Sequence, residues 1–172
     1  MEFFDVIKKR HSVRAFKNKP IKKEKIKKIL ETINSAPSAG NLQAYKVILI
    51  RDQKLKDKLT TTSLLGQDFI SGAPVILVFF ADPEQSGSRY QERGEELYCI
   101  QDATIACSYA QLVATELGLA SCWIGAFNEN RVKELLGVKA NLKPVVILPI
   151  GYPAEKPIPR PRKLLSDLME ER

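Results

Sequence analysis

Short apolar runs alternate with amphipathic segments along most of the chain, a pattern typical of a domain that combines strands with helices. Predominantly apolar runs predict strands at residues 45–50, 75–80, 121–127 and 145–150. The second run is apolar throughout, as expected of a strand that is buried on both faces. Pro149 lies in the last run, and because proline cannot donate a ladder hydrogen bond, it predicts a strand end or a sheet edge.

Helical spacing of apolar residues predicts helices between these strands, at residues 2–9, 22–35, 53–61, 97–117 and 129–136. The longest of them is apolar enough to be largely buried, and Gly118 is a typical residue after a helix end. Residues 83–94 contain glycines, a proline and several charges, so we expect a mobile surface segment there. The mixture of strands and unequal helices predicts one α+β domain over residues 1–172.

The net charge of +7 allows a partner of opposite charge. Lys and Arg are concentrated near the start, with 11 of the 27 in residues 1–28, as a nucleic-acid-binding protein could show. However, the lysines of helix 22–35 alternate with Ile26, Ile29, Leu30 and Ile33 at helical spacing, which favours a solvated helix face. The positive charge also suits phosphorylated cofactors. We therefore expect no nucleic-acid partner.

The three cysteines, Cys99, Cys107 and Cys122, lack CxxC spacing, and His11 is the only histidine. This composition disfavours a metal site and a Cys–His nucleophile, so buried thiols are expected. No run of 18 uncharged apolar residues occurs, and the first residues are acidic where a signal peptide would be basic. These observations predict no membrane segment and a cytoplasmic protein.

Four segments carry residues suited to a ligand. Arg10-His11-Ser12-Val13-Arg14 offers guanidinium groups that match an anion such as phosphate. The loop at 36–43 combines small residues with Ser38, Asn41 and Gln43, which could bond a flat heterocycle. The run at 118–127 contains Gly125, and the segment at 149–153 is followed by Arg160, Arg162 and Lys163.

In this order, the four segments resemble the nitroreductase family of flavoproteins. The Arg-x-Ser-x-basic start and the Pro-Ser-x-x-Asn-x-Gln loop are the most specific parts, and Gln101-Asp102-Ala103 also fits. Ala44-Tyr45 departs from the proline and large aromatic residue that often follow the loop. The resemblance implies an α+β sandwich with a central, mostly antiparallel sheet flanked by helices. It also implies an intertwined homodimer with FMN at the interface, with the tail at 153–172 packed on the partner subunit.

The resemblance assigns cofactor contacts to Arg10, His11, Ser12, Arg14, Pro37, Ser38, Ala39, Asn41, Gln43, Gly125, Ala126 and Arg162. Arg10 and Arg162 would bind the FMN phosphate, Ser12 the phosphate or ribityl chain, and Arg14 the pyrimidine edge of the ring. The loop residues would touch the ring or its side chain, with the stretch 37–39 donated by the partner. Gly125 and Ala126 would direct backbone N–H groups at the ring nitrogen that receives the hydride. No catalytic side chain is required, because the flavin performs the chemistry.

The implied function is a ping-pong oxidoreductase that passes hydride from NAD(P)H (NADH or NADPH) through FMN. The acceptor would be a small oxidised molecule such as a nitroaromatic, quinone, flavin or enone. Alternatives are a related flavoprotein that performs dehalogenation or flavin cleavage, or a basic nucleic-acid-binding protein. Residues 83–96 are the only candidate for a lid over the flavin.

Overall fold

The computed structural model describes residues 2–172, and Met1 of the predicted domain lies outside the described residues. Six α-helices occur in this range: α1 (Phe3–Lys9), α2 (Lys23–Asn34), α3 (Gln53–Thr60), α4 (Pro83–Arg93), α5 (Cys99–Glu116) and α6 (Glu129–Leu136). The strands are β1 (Tyr45–Ile50), β2 (Val75–Ala81), β3 (Ala120–Ser121) and β4 (Lys143–Gly151). Within residues 2–172, no helix has both the length and the apolar character needed to cross a bilayer.

The four strands form one antiparallel sheet in the order β1-β2-β4-β3. Tyr45 of β1 is paired with Ala81 of β2, and Val75 of β2 is paired with Ile150 of β4. The two long central strands therefore run through the middle of the sheet, with helices on both sides. The prediction of an α+β fold with a mostly antiparallel sheet is confirmed.

Every residue of β2 is buried, as its uninterrupted apolar run predicted. Because successive side chains of a strand point to opposite faces, Leu77 and Phe79 belong to one core and Val78 and Phe80 to the other. The first core is covered by α2 and α5, and the second by α3 and α6. The sheet is thus sandwiched between two helical layers.

The face of α2 that packs into the core is narrower than its sequence suggested. Ile26, Ile29 and Ile33 are buried, whereas Leu30 is 39% exposed and does not belong to the core face. Most of the helix lysines are solvated as expected, but Lys25 donates through its Nζ to the Leu117 carbonyl oxygen. That bond ties α2 to the end of α5, where Gly118 adopts the positive φ of 71° that its position predicted.

The expected mobile segment at 83–94 is instead helical, so this prediction was wrong. Pro83 occupies the first turn of α4, and the Asp82 side chain accepts a hydrogen bond from the Gln85 amide at 3.1 Å. The helix turns sharply at Gln91 (φ 50°) and continues as a π-helical turn at Gly94–Tyr98 that leads into α5. A Cβ at Gly94 would lie 2.5 Å from the Ser86 carbonyl oxygen, so this glycine permits close packing of the two arms.

The predicted strand at 121–127 is mostly absent, because β3 ends at Ser121. Beyond it, the chain makes only isolated pairs, such as Ile124 with Ile147. Pro149 lies inside β4 and is paired with Ile76 of β2, so the expectation of a strand end was wrong. On its other side β3 pairs with β4 only at Ile150 and Gly151, so Pro149 does face an edge without a partner strand, the other alternative. Its carbonyl oxygen accepts from the Cys122 amide. Since the N and O atoms of a strand residue point to the same side, the missing N–H faces this irregular segment, where no ladder bond is needed.

Candidate functional site

The segment Arg10–Arg14 is held against the sheet by backbone hydrogen bonds on both sides. The α1 helix ends at Arg10, whose amide donates to the Val6 carbonyl oxygen at 2.9 Å. The Val13 amide then donates to the Ser121 carbonyl oxygen at 3.1 Å, beside β3. Further along, the Ala154 amide donates to the Ala15 carbonyl oxygen at 2.8 Å. The segment after α1 is therefore fixed between β3 and the chain that leaves β4.

This pairing produces a cavity of about 360 Å³ in which two distant parts of the chain meet. Its lining residues are Arg10, His11, Ser12, Arg14, Glu155, Lys156, Pro157, Ile158, Arg160 and Arg162. Five predicted cofactor residues, the four from the first motif and Arg162, thus share one cavity. Apart from Glu155, the charged residues of the lining are basic, so the cavity suits an anionic group.

Glu155, Lys156 and Arg160 line the cavity, although the predicted set does not contain them. The Glu155 carboxylate accepts a hydrogen bond from the Arg14 backbone amide. Arg160 stood out in the sequence as part of the basic run after the prolines. Glu155 and Lys156 had no such signal, because only the pairing of residues 15 and 154 brings them to the cavity.

Cys122 lies behind this cavity and is buried, as predicted for all three thiols. Burial raises the pKa of the Cys122 thiol, and the nearby Arg14 guanidinium and Ser12 hydroxyl partly oppose that rise. Burial also raises the pKa values of Cys99 and Cys107. Neutral, inaccessible thiols are poor nucleophiles, consistent with the expectation of buried thiols.

The predicted loop residues lie elsewhere. Pro37, Ser38 and Ala39 line a second cavity of about 470 Å³, and the other residues that line it are Tyr98, Gln101, Asp102, Thr104 and Ile105. It shares no lining residue with the first cavity. Asn41 and Gln43 follow in the same loop with positive φ values of 57° and 51° and exposed side chains. The predicted loop residues therefore lie together in one loop, which is separate from the basic cavity.

Asp102 of α5 anchors this loop. Its Oδ1 accepts a hydrogen bond from the Ala39 amide at 2.9 Å, and the residue is only 2% exposed. Burial raises the pKa of the Asp102 carboxyl group, and the backbone amides of Ala39 and Ala44 partly oppose this rise. The neighbouring Tyr45 is turned inward, with its hydroxyl donating to the Ile33 carbonyl oxygen at 3.0 Å. The sequence had indicated Asp102 only as part of the resemblance.

Gly125 and Ala126 occupy a third position, in the irregular segment after β3. Neither residue lines the two cavities. The Ala126 carbonyl oxygen accepts a hydrogen bond from the Leu64 amide at 3.0 Å, and Gly125 is exposed. A Cβ at Gly125 would meet only the Trp123 side chain, at 3.7 Å, so its surroundings are open. The predicted site residues are thus distributed over three places in one chain.

Comparison with known proteins identifies the fold and its family. The sequence profile of the nitroreductase family matches residues 7–66 and 60–152, which together cover most of the chain. The chain belongs to the nitroreductase family. A structure from Streptococcus pneumoniae TIGR4, described as a nitroreductase family protein, covers 99% of this chain and 100% of its own with a TM-score of 0.91 at 23% identity.

Two relatives are closer in sequence. An Archaeoglobus fulgidus protein with the provisional name NADH dehydrogenase/NAD(P)H nitroreductase is 33% identical over 159 residues, covering 90% of this chain and 87% of the other. A structure described as an FMN-dependent nitroreductase from Clostridium difficile R20291 is 32% identical with a TM-score of 0.79, covering 95% of this chain and 93% of the other. The family that the four sequence segments predicted is confirmed.

Proposed function

We propose that this nitroreductase family member is an FMN-dependent oxidoreductase that takes hydride from NAD(P)H and delivers it to a small oxidised acceptor. The observation that carries the proposal is the basic cavity, where Arg10 and Ser12 meet Arg162. Guanidinium and hydroxyl groups donate the hydrogen bonds that phosphate oxygens accept, and Glu155 is the one carboxylate in the lining that opposes them. The donor set therefore fits the phosphate end of FMN, and the FMN-dependent relative supports the same cofactor.

Within this proposal, Arg10 and Arg162 bind the phosphate, and Ser12 binds the phosphate or the ribityl chain. Lys156 and Arg160 add positive charge to the same cavity. His11 lines it beside Ser12 and contributes a further hydrogen-bonding group. The planar guanidinium groups can each present two parallel N–H donors to phosphate oxygens.

FMN, when bound, supplies the two-electron hydride chemistry. The chain's own residues stabilise charge around it. Arg14 would place a guanidinium at the pyrimidine edge of the ring, where negative charge accumulates on reduction. The backbone N–H groups of Gly125 and Ala126 would face the ring nitrogen that receives hydride. Ser38, Asn41 and Gln43 would bond the ring or its side chain, and the Pro37–Ala39 stretch would serve the flavin of a second subunit.

We infer that the enzyme is a homodimer formed by one domain per chain. The separation of the loop cavity from the basic cavity supports this inference, because a second copy could bring its loop to the first copy's flavin. Large apolar side chains that need a cover also support it: Phe3 and Phe4 on α1, and Leu164, Leu165, Leu168 and Met169 in the tail. The tail at 153–172 would pack on the partner subunit.

The proposal is tested with the purified protein. We expect a yellow preparation, release of FMN on denaturation, and bleaching of the flavin by NADH or NADPH without oxygen. Reoxidation by nitroaromatics, quinones, free flavins and enones then identifies the acceptor class, with a free FMN solution as the control. A protein that fails to bind added FMN contradicts the proposal. Bound FMN that no nicotinamide reduces favours the alternative chemistry of a related flavoprotein.

A further inference from the structure

The buried carboxylate of Asp102 makes one hydrogen bond of good geometry, to the Ala39 amide, and the Ala44 amide also lies near it. Its Oδ1 accepts the Ala39 amide, whereas its Oδ2 has no hydrogen-bond partner among residues 2–172 and is shielded from solvent. Burying a carboxylate oxygen without a partner costs stability. An apolar residue of similar size would avoid this cost, so the stability of the fold does not explain the presence of an aspartate here.

The loop that Asp102 holds has an unfavourable backbone. Asn41 and Gln43 have positive φ values of 57° and 51°, which side-chain-bearing residues rarely adopt, whereas the positive φ of Gly40 suits glycine. Such a loop keeps its shape only if surrounding bonds determine it. The Gln43 amide donates to Ser38 Oγ at 2.9 Å, a bond within the loop, and Gln85 Nε2 donates to the Leu42 carbonyl oxygen at 3.1 Å. The Ala39–Asp102 bond connects the start of the loop to the central helix α5.

We propose that Asp102 is a positioning residue that fixes the Ala39 amide and thereby sets how Ser38, Asn41 and Gln43 are presented to the flavin. This inference rests on the proposed function, since those three side chains contact FMN only if FMN is the cofactor. Asp102 itself acts through the loop backbone. Its role requires a hydrogen-bond acceptor at Oδ1 and does not require the negative charge.

The test compares two substitutions at this position. Asp102→Ala removes the acceptor, while Asp102→Asn keeps a carbonyl oxygen that can receive the Ala39 amide. A neutral hydrogen bond is worth up to about ten-fold in an equilibrium, so we expect Asp102→Ala to weaken FMN binding by roughly five- to ten-fold. Asp102→Asn should remain within about two-fold of the parent. Ser108→Ala is the matched control, because Ser108 lies on the same helix and its hydroxyl bonds only the Thr104 carbonyl oxygen of that helix.

Three measurements separate positioning from a general effect on folding. FMN affinity is measured by flavin fluorescence, amide exchange is followed in the peptide that contains residues 37–43, and thermal unfolding is recorded without FMN. We expect Asp102→Ala to accelerate exchange in this loop and weaken FMN binding while the unfolding temperature stays near that of Ser108→Ala. Equal weakening by Asp102→Asn and Asp102→Ala would overturn the acceptor role.

Unchanged FMN affinity in Asp102→Ala would overturn the inference, whether or not the unfolding temperature of this variant falls. These outcomes are distinct from failure of the proposed function, in which the parent protein itself binds no FMN. The exchange measurement is informative even in that case. Unaltered exchange of the loop in Asp102→Ala would show that Asp102 does not hold it.

Discussion

The basic cavity makes a quantitative prediction for Arg10 and Arg162. Replacing either residue with alanine should weaken FMN binding, because each removes a charge-assisted hydrogen bond to the phosphate worth about 1.5–3 kcal/mol. Arg10 is partly buried, whereas Arg162 is exposed and more strongly screened by solvent. We therefore expect about ten-fold weaker binding for Arg162→Ala and roughly ten- to a hundred-fold for Arg10→Ala.

The assay is titration of the flavin-free protein with FMN, followed by fluorescence, at two salt concentrations. Arg10→Lys and Arg162→Lys are the matched controls, since lysine keeps the charge but loses the planar fork of donors. They should lie between the parent and the alanine variants. Because the two arginines would bind the same phosphate group, their contributions should be coupled. The loss of binding free energy in the double variant should therefore differ from the sum of the two single losses. Parent-like affinity in both alanine variants would remove the phosphate assignment.

The remaining predictions concern redox poise, assembly and the α4 turn. In flavin-loaded Arg14→Ala, loss of about 1.5 kcal/mol of stabilisation of the reduced ring should lower the midpoint potential by roughly 30 mV, measured by spectroelectrochemistry; an unchanged potential would argue against contact with the ring. Truncation after Tyr152 should abolish the dimer and FMN binding together, whereas serine at the three tail leucines should weaken the dimer while Arg162 remains. Light scattering distinguishes these cases, and a stable full-length monomer with one FMN would contradict the interface. Gly94→Ala should destabilise the fold by roughly 1–3 kcal/mol in denaturant unfolding, because its Cβ would collide with backbone at Ser86, and a neutral effect would mean that the turn relaxes.

The sheet could be predicted well where local pattern and tertiary packing agree. The apolar run of β2 gives the same strand in sequence and structure, because both of its faces meet core helices. The run at 121–127 is also predominantly apolar, yet β3 ends at Ser121, and the next residue, Cys122, lies opposite Pro149, which has no amide to donate. A pattern within one segment contains no information about its partner strand.

The prediction of a mobile segment at residues 83–94 was wrong for a related reason. Gly87 and Gly94 suggest freedom when they are considered alone, but in the fold they allow side-chain and backbone atoms of a neighbouring turn to approach. Asp82 and Pro83 are a typical helix start, with an N-cap carboxylate followed by proline in the first turn. In the candidate site, the grouping of Arg10 with Arg162 followed from family resemblance. Glu155 could not be predicted, because it reaches the cavity only through backbone pairing.

The pairing of residues 12–17 with β3 and with the segment after β4 also has a consequence during synthesis. The Val13 amide has no Ser121 carbonyl oxygen to bond until more than a hundred further residues have been made. At about 5–20 residues per second, this interval lasts roughly 5–20 s. Until then, the arginines of the first motif are part of a nascent chain with no opposing wall. The basic cavity is therefore among the last features to form during synthesis, and a flavin bound there would report that both halves of its wall have been translated and joined.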